Sequence, residues 1–348
     1  MSNLKVGVVG CGLISKLRHI PAYKRLKNVE LTAVCDLNEE LARETANEFK
    51  IPKYYTETAK MFLEEDLDII DICVPPQIHT PIAIEALENG SHVIMEKPMA
   101  LKASDCKEMI KIAGKNNLKL SIVHNDIFHP PFIKAKEMIN EGQIGDFRGI
   151  RIFLSTPKHD MIDLKDHWYH KLPGGVIGET GPHISYMTLE FLNNITNVDI
   201  FAKSFLNYFW APYDDFRIEI EGENGFSSVA LTYTNNYWAA TVDIIGTDAM
   251  LKLDLDSMLL IKHNLHELSY IPIAKQALSS VGQNISNTFT KAFTIFIHRQ
   301  RIGTESVIEK FVESILTGSP LPVTPEEGLN ATRLMEKIVE EYNNKYSK

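Results

Sequence analysis

The sequence predicts a two-domain α/β chain: a doubly wound parallel sheet first, then an α+β domain with an open, mostly antiparallel sheet. Three observations lead to this prediction. The 348 residues exceed what one ordinary core accommodates. The first part alternates short β-branched runs with amphipathic helices, whereas the second strings strand-like runs together. This change of pattern divides the chain into domains 1–124 and 125–348.

Short apolar runs bounded by polar residues are typical of buried parallel strands, and the first domain has five of them. Amphipathic stretches such as Asn38–Phe49 and Ser104–Asn116 lie between them. Repeated β-α-β units require right-handed crossovers, which produce a doubly wound sheet. The predicted strands are Leu4–Val9, Leu31–Cys35, Ile69–Val74, His92–Met95 and Leu118–Val123.

The second domain begins with a predicted helix, Phe132–Ile139, and contains a polar, aromatic loop, Lys158–Lys171. A helix over Gly178–Phe191 follows, and two more, Glu305–Thr317 and Pro325–Asn343, close the chain. Consecutive strands separated by turn residues predict an antiparallel sheet. These strands are Gly149–Ser155, Val198–Phe205, Phe216–Ile220, Ser227–Tyr233, Ala239–Ile245 and Met250–Leu255.

One long stretch, Tyr270–Ile302, is largely apolar and has two interpretations. It could be a helix that packs on the sheet or at a subunit contact. It could also be a helix that lies on a membrane surface, although its positive charges are few. The residues at near-helical spacing are Ala274, Leu278, Val281, Ile285, Phe289, Ala292 and Phe296.

Composition narrows the class of protein. With 36 Lys and Arg against 45 Asp and Glu, the net charge is −9. The sequence has no run of Lys and Arg that could neutralise a phosphate backbone, so no nucleic-acid partner is predicted. No apolar run reaches the roughly 18–20 residues that cross a bilayer, so no stable membrane insertion is predicted. The first residues lack the pattern of a signal peptide. The four cysteines of the chain are not spaced like the ligands of a metal site. We expect a cytoplasmic protein with free thiols.

A glycine-containing loop follows the first predicted strand. Gly10 would allow a tight turn, and Gly12 would let a pyrophosphate approach the start of the next helix. Ser15 stands where the third glycine of G-x-G-x-x-G is usual. Asp36, ending the second strand, would accept hydrogen bonds from both adenosine ribose hydroxyls and repel a 2′-phosphate. The pattern predicts a Rossmann domain that prefers NAD to NADP; a surface turn is the alternative for Asp36.

Two further motifs follow strands at the carboxyl edge of the sheet, where ligands bind in this architecture. They are Val74-Pro75-Pro76-Gln77-Ile78-His79 and Glu96-Lys97-Pro98. The Lys97 ammonium would donate to a substrate hydroxyl and stabilise an alkoxide, although it could be only an exposed charge. The predicted cofactor-binding residues are Gly10, Gly12, Leu13, Ile14, Asp36, Val74, Pro75, His79, Glu96 and Lys97.

A glycine-rich segment, Gly174–His183, supplies the third candidate site. If it opens a helix, Glu179 and His183 share a face, and a carboxylate beside an imidazole suits proton transfer near neutral pH. A metal-ligand pair and a helix-surface pair without a role are alternatives. Without a convincing third ligand, no metal site is predicted. Lys97, His183 and Glu179 are therefore the predicted catalytic residues.

The aromatic loop Lys158–Lys171 is a candidate substrate pocket, because aromatic faces stack on sugars while imidazoles hydrogen-bond hydroxyls. An ordinary interdomain loop is the alternative. The predicted substrate-binding residues are Asn125, His167, Trp168, Tyr169 and His183.

Together these motifs resemble those of the glucose–fructose oxidoreductase / inositol dehydrogenase (Gfo/Idh/MocA) family, in the same order along nearly the whole chain. The resemblance rests on Gly10-Cys11-Gly12, on Glu96-Lys97-Pro98, which is the most specific motif, and on the glycines that lead to His183. The turn Gly142-Gln143-Ile144-Gly145 is also similar to the family. The resemblance implies that Lys97 touches the substrate hydroxyl near the nicotinamide, and that His183 is the general base in oxidation.

The sequence also departs from the family pattern. Glu179 stands where aspartate is common in D-x-G-x-H, and Tyr186 replaces a frequent acid. Ile127 replaces a frequent arginine, and His124 and Asn125 replace the usual residues nearby. These departures suggest a subgroup with an altered substrate pocket.

The expected function is an NAD-dependent dehydrogenase that transfers a hydride between the cofactor and a secondary alcohol of a sugar, nucleotide sugar or cyclitol. The resemblance also implies a homodimer or homotetramer formed through the second sheet. Two alternatives stay open: an enzyme that retains NAD for transient oxidation, and a non-catalytic regulator that senses a dinucleotide.

Overall fold

The computed structural model describes residues 3–264, 266–296 and 303–346, with no description of the side chains of 287–296. The chain forms two compact units. The first unit comprises residues up to 125 together with 303–333, and the second comprises the intervening residues from 126 together with those from 334. The predicted boundary at 124/125 thus lies close to the first division, but the chain later returns to the first unit.

Six parallel strands form the sheet of the first unit, in the order β3-β2-β1-β4-β5-β6. Pairing of the first strand with both β2 and β4 marks the point where the strand order reverses, as in a doubly wound sheet. The strands are β1 (Leu4–Val9), β2 (Val29–Cys35), β3 (Lys53–Tyr55), β4 (Ile69–Ile72), β5 (His92–Met95) and β6 (Leu120–Ile122).

Helices connect these strands. A π-helical turn, Ser15–His19, precedes the first helix and was not predicted from the sequence. The Asn38 side chain accepts a hydrogen bond from the Leu41 N–H and so caps the second helix, as its sequence position favours. The helices are α1 (Ile20–Lys24), α2 (Glu39–Phe49), α3 (Thr58–Glu64), α4 (His79–Glu88) and α5 (Ala103–Lys115).

The last two helices explain why the chain returns to the first unit. They are α9 (Gly303–Thr317) and α10 (Pro325–Tyr346), numbered in chain order after the helices of the second unit. Arg25 forms an ion pair with Glu305 of α9, and the Ser121 hydroxyl donates to the Val323 carbonyl. A Cβ at Gly328 would lie 2.5 Å from the Ile122 side chain, so the start of α10 packs closely on β6. The sequence could not show these contacts, because the two hydrogen-bonded pairs join residues 280 and 202 positions apart.

Seven strands form the sheet of the second unit, in the order β13-β12-β11-β7-β10-β9-β8. Among the described strands of this second sheet, only the β7–β10 pair is parallel, so the prediction of an open, mostly antiparallel sheet is confirmed. The strands are β7 (Phe147–Ser155), β8 (Ile195–Lys203), β9 (Asp215–Gly222), β10 (Gly225–Thr232), β11 (Ala239–Gly246), β12 (Met250–Asp254) and β13 (Leu259–His263).

Helices α6 (Pro130–Asn140) and α7 (Val176–Leu189) belong to the same unit. Buried hydrogen bonds attach α7 to the sheet, one from the Tyr233 hydroxyl to the Val176 carbonyl and one between Thr188 and Ser227. Strand β9 alternates buried apolar residues with exposed charged ones, so its other face is open. That this face joins subunits stays a prediction, as does the cytoplasmic location.

The long apolar stretch forms a helix, α8 (Tyr270–Phe296), while the end of the predicted segment lies outside the described residues. Its main packing partner is β13, the edge strand of the sheet. No described helix combines the length and apolarity needed to cross a bilayer.

All four cysteines are buried free thiols, as predicted.

Candidate active site

The loop after β1 has the shape that a dinucleotide requires. Gly10 has φ +100°, and a Cβ there would lie 2.6 Å from the Cys73 carbonyl oxygen, so only glycine fits without strain. A Cβ at Gly12 would meet no described atom within 4 Å, which leaves open space beside that backbone. The aliphatic side chains that follow, Leu13 and Ile14, are 76% and 40% exposed. This open loop at a helix start suits a diphosphate.

Asp36 is fixed beside this loop. Its carboxylate accepts hydrogen bonds from the Cys11 N–H at 2.8 Å and from the Asn38 N–H at 2.9 Å. The backbone thus holds the side chain at the end of β2, the position from which a carboxylate reads ribose hydroxyls in this fold.

The side chain of His79, a predicted cofactor contact, lies inside the protein between two backbone carbonyl groups. The ring is fully buried, with Nδ1 2.9 Å from the Pro98 carbonyl oxygen and Nε2 2.8 Å from that of Val74. Burial lowers the pKa of this imidazole. The His79 side chain therefore braces the loops that follow β4 and β5.

A buried charged network lies beneath Lys97. His19 is the centre of the network, with Nδ1 2.8 Å from an Asp71 oxygen and Nε2 2.9 Å from a Glu96 oxygen. Burial alone would lower the His19 pKa, but the Asp71 carboxylate raises it well above its usual value. Burial alone would raise the Glu96 pKa, but the hydrogen bond and charge of His19 hold it lower. Both carboxylates therefore share one imidazolium.

This network holds Lys97 through the backbone. The second Glu96 oxygen accepts a hydrogen bond from the Lys97 N–H at 3.2 Å, and the Lys97–Pro98 peptide bond is cis. Glu96, predicted as a cofactor contact, is thus committed mainly to His19. The Lys97 side chain itself is half-buried.

One group of three metal-type donors occurs among the described residues, formed by His19, Asp71 and Cys73. His19 and Asp71 are at the distance of a direct hydrogen bond, and Cys73 Sγ lies 3.5 Å from the other Asp71 oxygen. Burial raises the pKa of this thiol, which favours its protonated form. The absence of a metal stays a prediction.

The second candidate cluster contains His183. It lies on α7, which begins after Gly174 and Gly175, both with positive φ. Its Nδ1 lies 2.7 Å from the Asp126 carboxylate, and the Tyr186 hydroxyl donates to the same oxygen at 2.6 Å. Donation from Nδ1 leaves Nε2 with a lone pair that can take a proton.

Asp126 is the partner that the sequence analysis missed. Burial alone would raise its pKa, but the charge and hydrogen bond of His183 hold it well below its usual value. The predicted carboxylate, Glu179, is instead electrostatically close to His167, Tyr169 and Tyr233. Asn125 and Ile127, which depart from the family pattern, lie on either side of Asp126 and were a sequence signal for it.

The predicted substrate loop contains two 3-10 turns, Lys158–Asp160 and Trp168–Lys171. Tyr169 is 4% exposed and its hydroxyl donates to the Met161 carbonyl, so it supports the loop. His167 stacks against Tyr169 with ring centroids 4.1 Å apart. Within the described part of the chain, the buried His167 Nδ1 has no hydrogen-bond partner. Trp168 and Asn125 are both half-buried.

Comparison with known proteins identifies the family. Residues 4–124 match the family described as "Oxidoreductase family, NAD-binding Rossmann fold", and residues 132–252 match the GFO/IDH/MocA C-terminal domain. Oxidoreductase P35 of Formosa agariphila is 23% identical over 57% of this chain, an alignment that spans 63% of its own length.

Two further matches span nearly whole chains. The scyllo-inositol 2-dehydrogenase (NADP(+)) IolW of Bacillus subtilis is 22% identical over 98% of this chain and 94% of its own. The WlbA dehydrogenase from Bordetella pertussis, solved with NADH and UDP-GlcNAcA, superposes with a TM-score of 0.81. It is 18% identical, and the match covers 99% of this chain and 96% of that one. The chain belongs to the Gfo/Idh/MocA family of oxidoreductases, whose N-terminal domain is an NAD-binding Rossmann fold.

Proposed function

We propose that this protein is an NAD-dependent dehydrogenase that acts on a secondary alcohol of a sugar, nucleotide sugar or cyclitol. The carrying observation is the His183–Asp126 hydrogen bond, in a chain of an oxidoreductase family. An imidazole whose Nδ1 is held by a carboxylate suits general-base catalysis at Nε2. Two of the relatives support the substrate class, since IolW is named for a cyclitol and the WlbA dehydrogenase was solved with a nucleotide sugar.

The residues of the first unit fit a dinucleotide. Gly10 and Gly12 would accept the diphosphate against the backbone, and Asp36 would bind the adenosine ribose. Leu13, Ile14, Val74 and Pro75 lie on the loops that follow β1 and β4, and we assign them to cofactor contact as well. When bound, the nicotinamide supplies hydride acceptance or donation.

The protein residues handle the proton and the charge. His183 takes the hydroxyl proton at Nε2, while Asp126 stays ionised and stabilises the imidazolium that forms. The Lys97 ammonium donates to the reacting oxygen and stabilises its negative charge. The buried Asp71–His19–Glu96 network fixes the backbone that carries Lys97. Glu179 acts with His167 and Trp168 on the substrate rather than on the reacting proton.

We expect the enzyme to prefer NAD⁺ to NADP⁺, because the Asp36 carboxylate would repel the 2′-phosphate of NADP⁺. In Asp36→Ala we expect kcat/KM for NAD⁺ to fall about 10-fold or more, and the NAD⁺/NADP⁺ preference to shrink at least as much. Steady-state kinetics with both cofactors measure this, with Glu39→Gln on the exposed start of α2 as control. An unchanged ratio in Asp36→Ala would contradict the assignment.

Substrate class is tested with a panel of sugars, nucleotide sugars and cyclitols, following the absorbance of reduced nicotinamide. We expect NADH to accumulate with at least one secondary alcohol and not with the matching deoxy compound. The proposal would be wrong if the protein bound NAD⁺ tightly but neither formed NADH nor converted any member of the panel. That result would favour a dinucleotide sensor. Conversion without free NADH would indicate retained cofactor.

A further inference from the structure

Helix α8 carries an apolar stripe that its own unit leaves uncovered. Ile271, Leu278, Val281 and Ile285 are 69%, 73%, 54% and 52% exposed. Their spacing of seven, three and four residues places them on one side of an α-helix. Exposed aliphatic residues occur singly on most proteins, but a continuous stripe indicates a partner surface.

The opposite side of α8 explains why this stripe points outward. Gln283 accepts a hydrogen bond from the Lys262 N–H at 2.8 Å, and Gln276 donates to the Lys262 carbonyl at 3.4 Å. These two glutamines are seven residues apart, and at about 100° per residue they lie roughly opposite Leu278 and Ile285. The polar side of α8 therefore covers the edge strand β13, and the apolar side faces away from the sheet.

The charge of the segment is the second observation. From residue 268 to 304 the sequence contains no Asp or Glu but four Lys and Arg, in a chain whose net charge is −9. Lys275 is exposed and lies on the helix next to the stripe. This segment of the sequence therefore carries no negative charge, and Lys275 is the basic residue that the described part of α8 places beside the apolar stripe, while the rest of the chain is more acidic than the whole.

We propose that α8 binds the surface of an anionic lipid bilayer, with its apolar stripe in the headgroup–acyl boundary. An amphipathic helix that has a basic residue beside its apolar side and no acidic residue has the chemistry that such a surface recognises. Charge complementarity favours a bilayer over a second copy of this chain, since pairing two α8 helices would bring like charges together. The enzyme thereby works at a membrane surface without crossing it.

Vesicle flotation of the full-length protein tests this proposal. We expect binding to phosphatidylcholine vesicles with about one-third phosphatidylserine, clearly weaker binding to pure phosphatidylcholine, and release by salt. Leu278→Ser should lower the partition coefficient about 10-fold, and Leu278→Ser with Ile285→Ser should abolish flotation. Lys275→Gln should lower it about 5-fold.

A matched control separates the helix from exposed leucines in general. Leu63 of α3 is 86% exposed, and Leu63→Ser should leave flotation unchanged. Thermal melting and NAD⁺ binding of each variant show that the protein is folded, independently of any substrate. The proposal is overturned if the wild-type protein does not float with the vesicles, or if Leu63→Ser lowers the partition coefficient as much as Leu278→Ser does. It is also overturned if the protein binds no vesicles and Leu278→Ser instead converts an oligomer into monomers.

Discussion

In Lys97→Met, kcat is expected to fall about 10²–10³-fold, with dinucleotide affinity nearly unchanged. The methionine side chain has a similar length but cannot donate a hydrogen bond to the reacting oxygen. The backbone at this position is held by Glu96 and, through it, by buried His19, so the substitution should not displace the loop. Steady-state kinetics on the identified substrate and fluorescence titration with NADH measure the two quantities.

A matched variant removes the same charge elsewhere. Lys107 is exposed on α5, and Lys107→Met should retain wild-type kinetics. The role assigned to Lys97 fails if both variants turn over substrate equally fast. It also fails if Lys97→Met loses only NAD⁺ binding, because the ammonium would then act on the cofactor and not on the alcohol.

Local patterns predicted the parts of the fold that local physics determines. The alternation of strands and helices predicted the first sheet, and consecutive strands with turn residues between them predicted the second. The glycine spacing located the loop in which Gly10 needs a positive φ. Strand β3 was missed because it has only three residues, and β13 because its residues are all only half-buried. Such strands depend on their neighbours in the sheet rather than on their own hydrophobicity.

The site was predicted less completely, because its hydrogen bonds join distant residues. His183 followed from the helix pattern, but its partner Asp126 is 57 positions away, whereas Glu179 is a neighbour in sequence. His19 and Asp71 were missed for the same reason, since they are 52 positions apart. A single sequence shows which residues can ionise, but packing decides which charges are buried together.

The pairing of Asp126 with His183 has a consequence for the rate of oxidation. Because the imidazole holds the Asp126 pKa well below its usual value, the carboxylate is ionised throughout the range in which an imidazole titrates. A neighbouring negative charge favours the protonated imidazole. In Asp126→Asn this charge is absent, so no carboxylate stabilises the imidazolium that forms when the ring takes the substrate proton.

For Asp126→Asn we therefore expect slower turnover, with the affinity for NADH nearly unchanged. The plateau of kcat should fall about 10²-fold, since the amide no longer stabilises the imidazolium or its orientation. Tyr186→Phe, which removes only the hydroxyl that donates to Asp126, should give a smaller loss. Asp146→Asn is the control, because that side chain is 78% exposed. If Asp126→Asn keeps the wild-type kcat, or if Asp146→Asn loses as much, the imidazole beside Asp126 is not the base that takes the substrate proton.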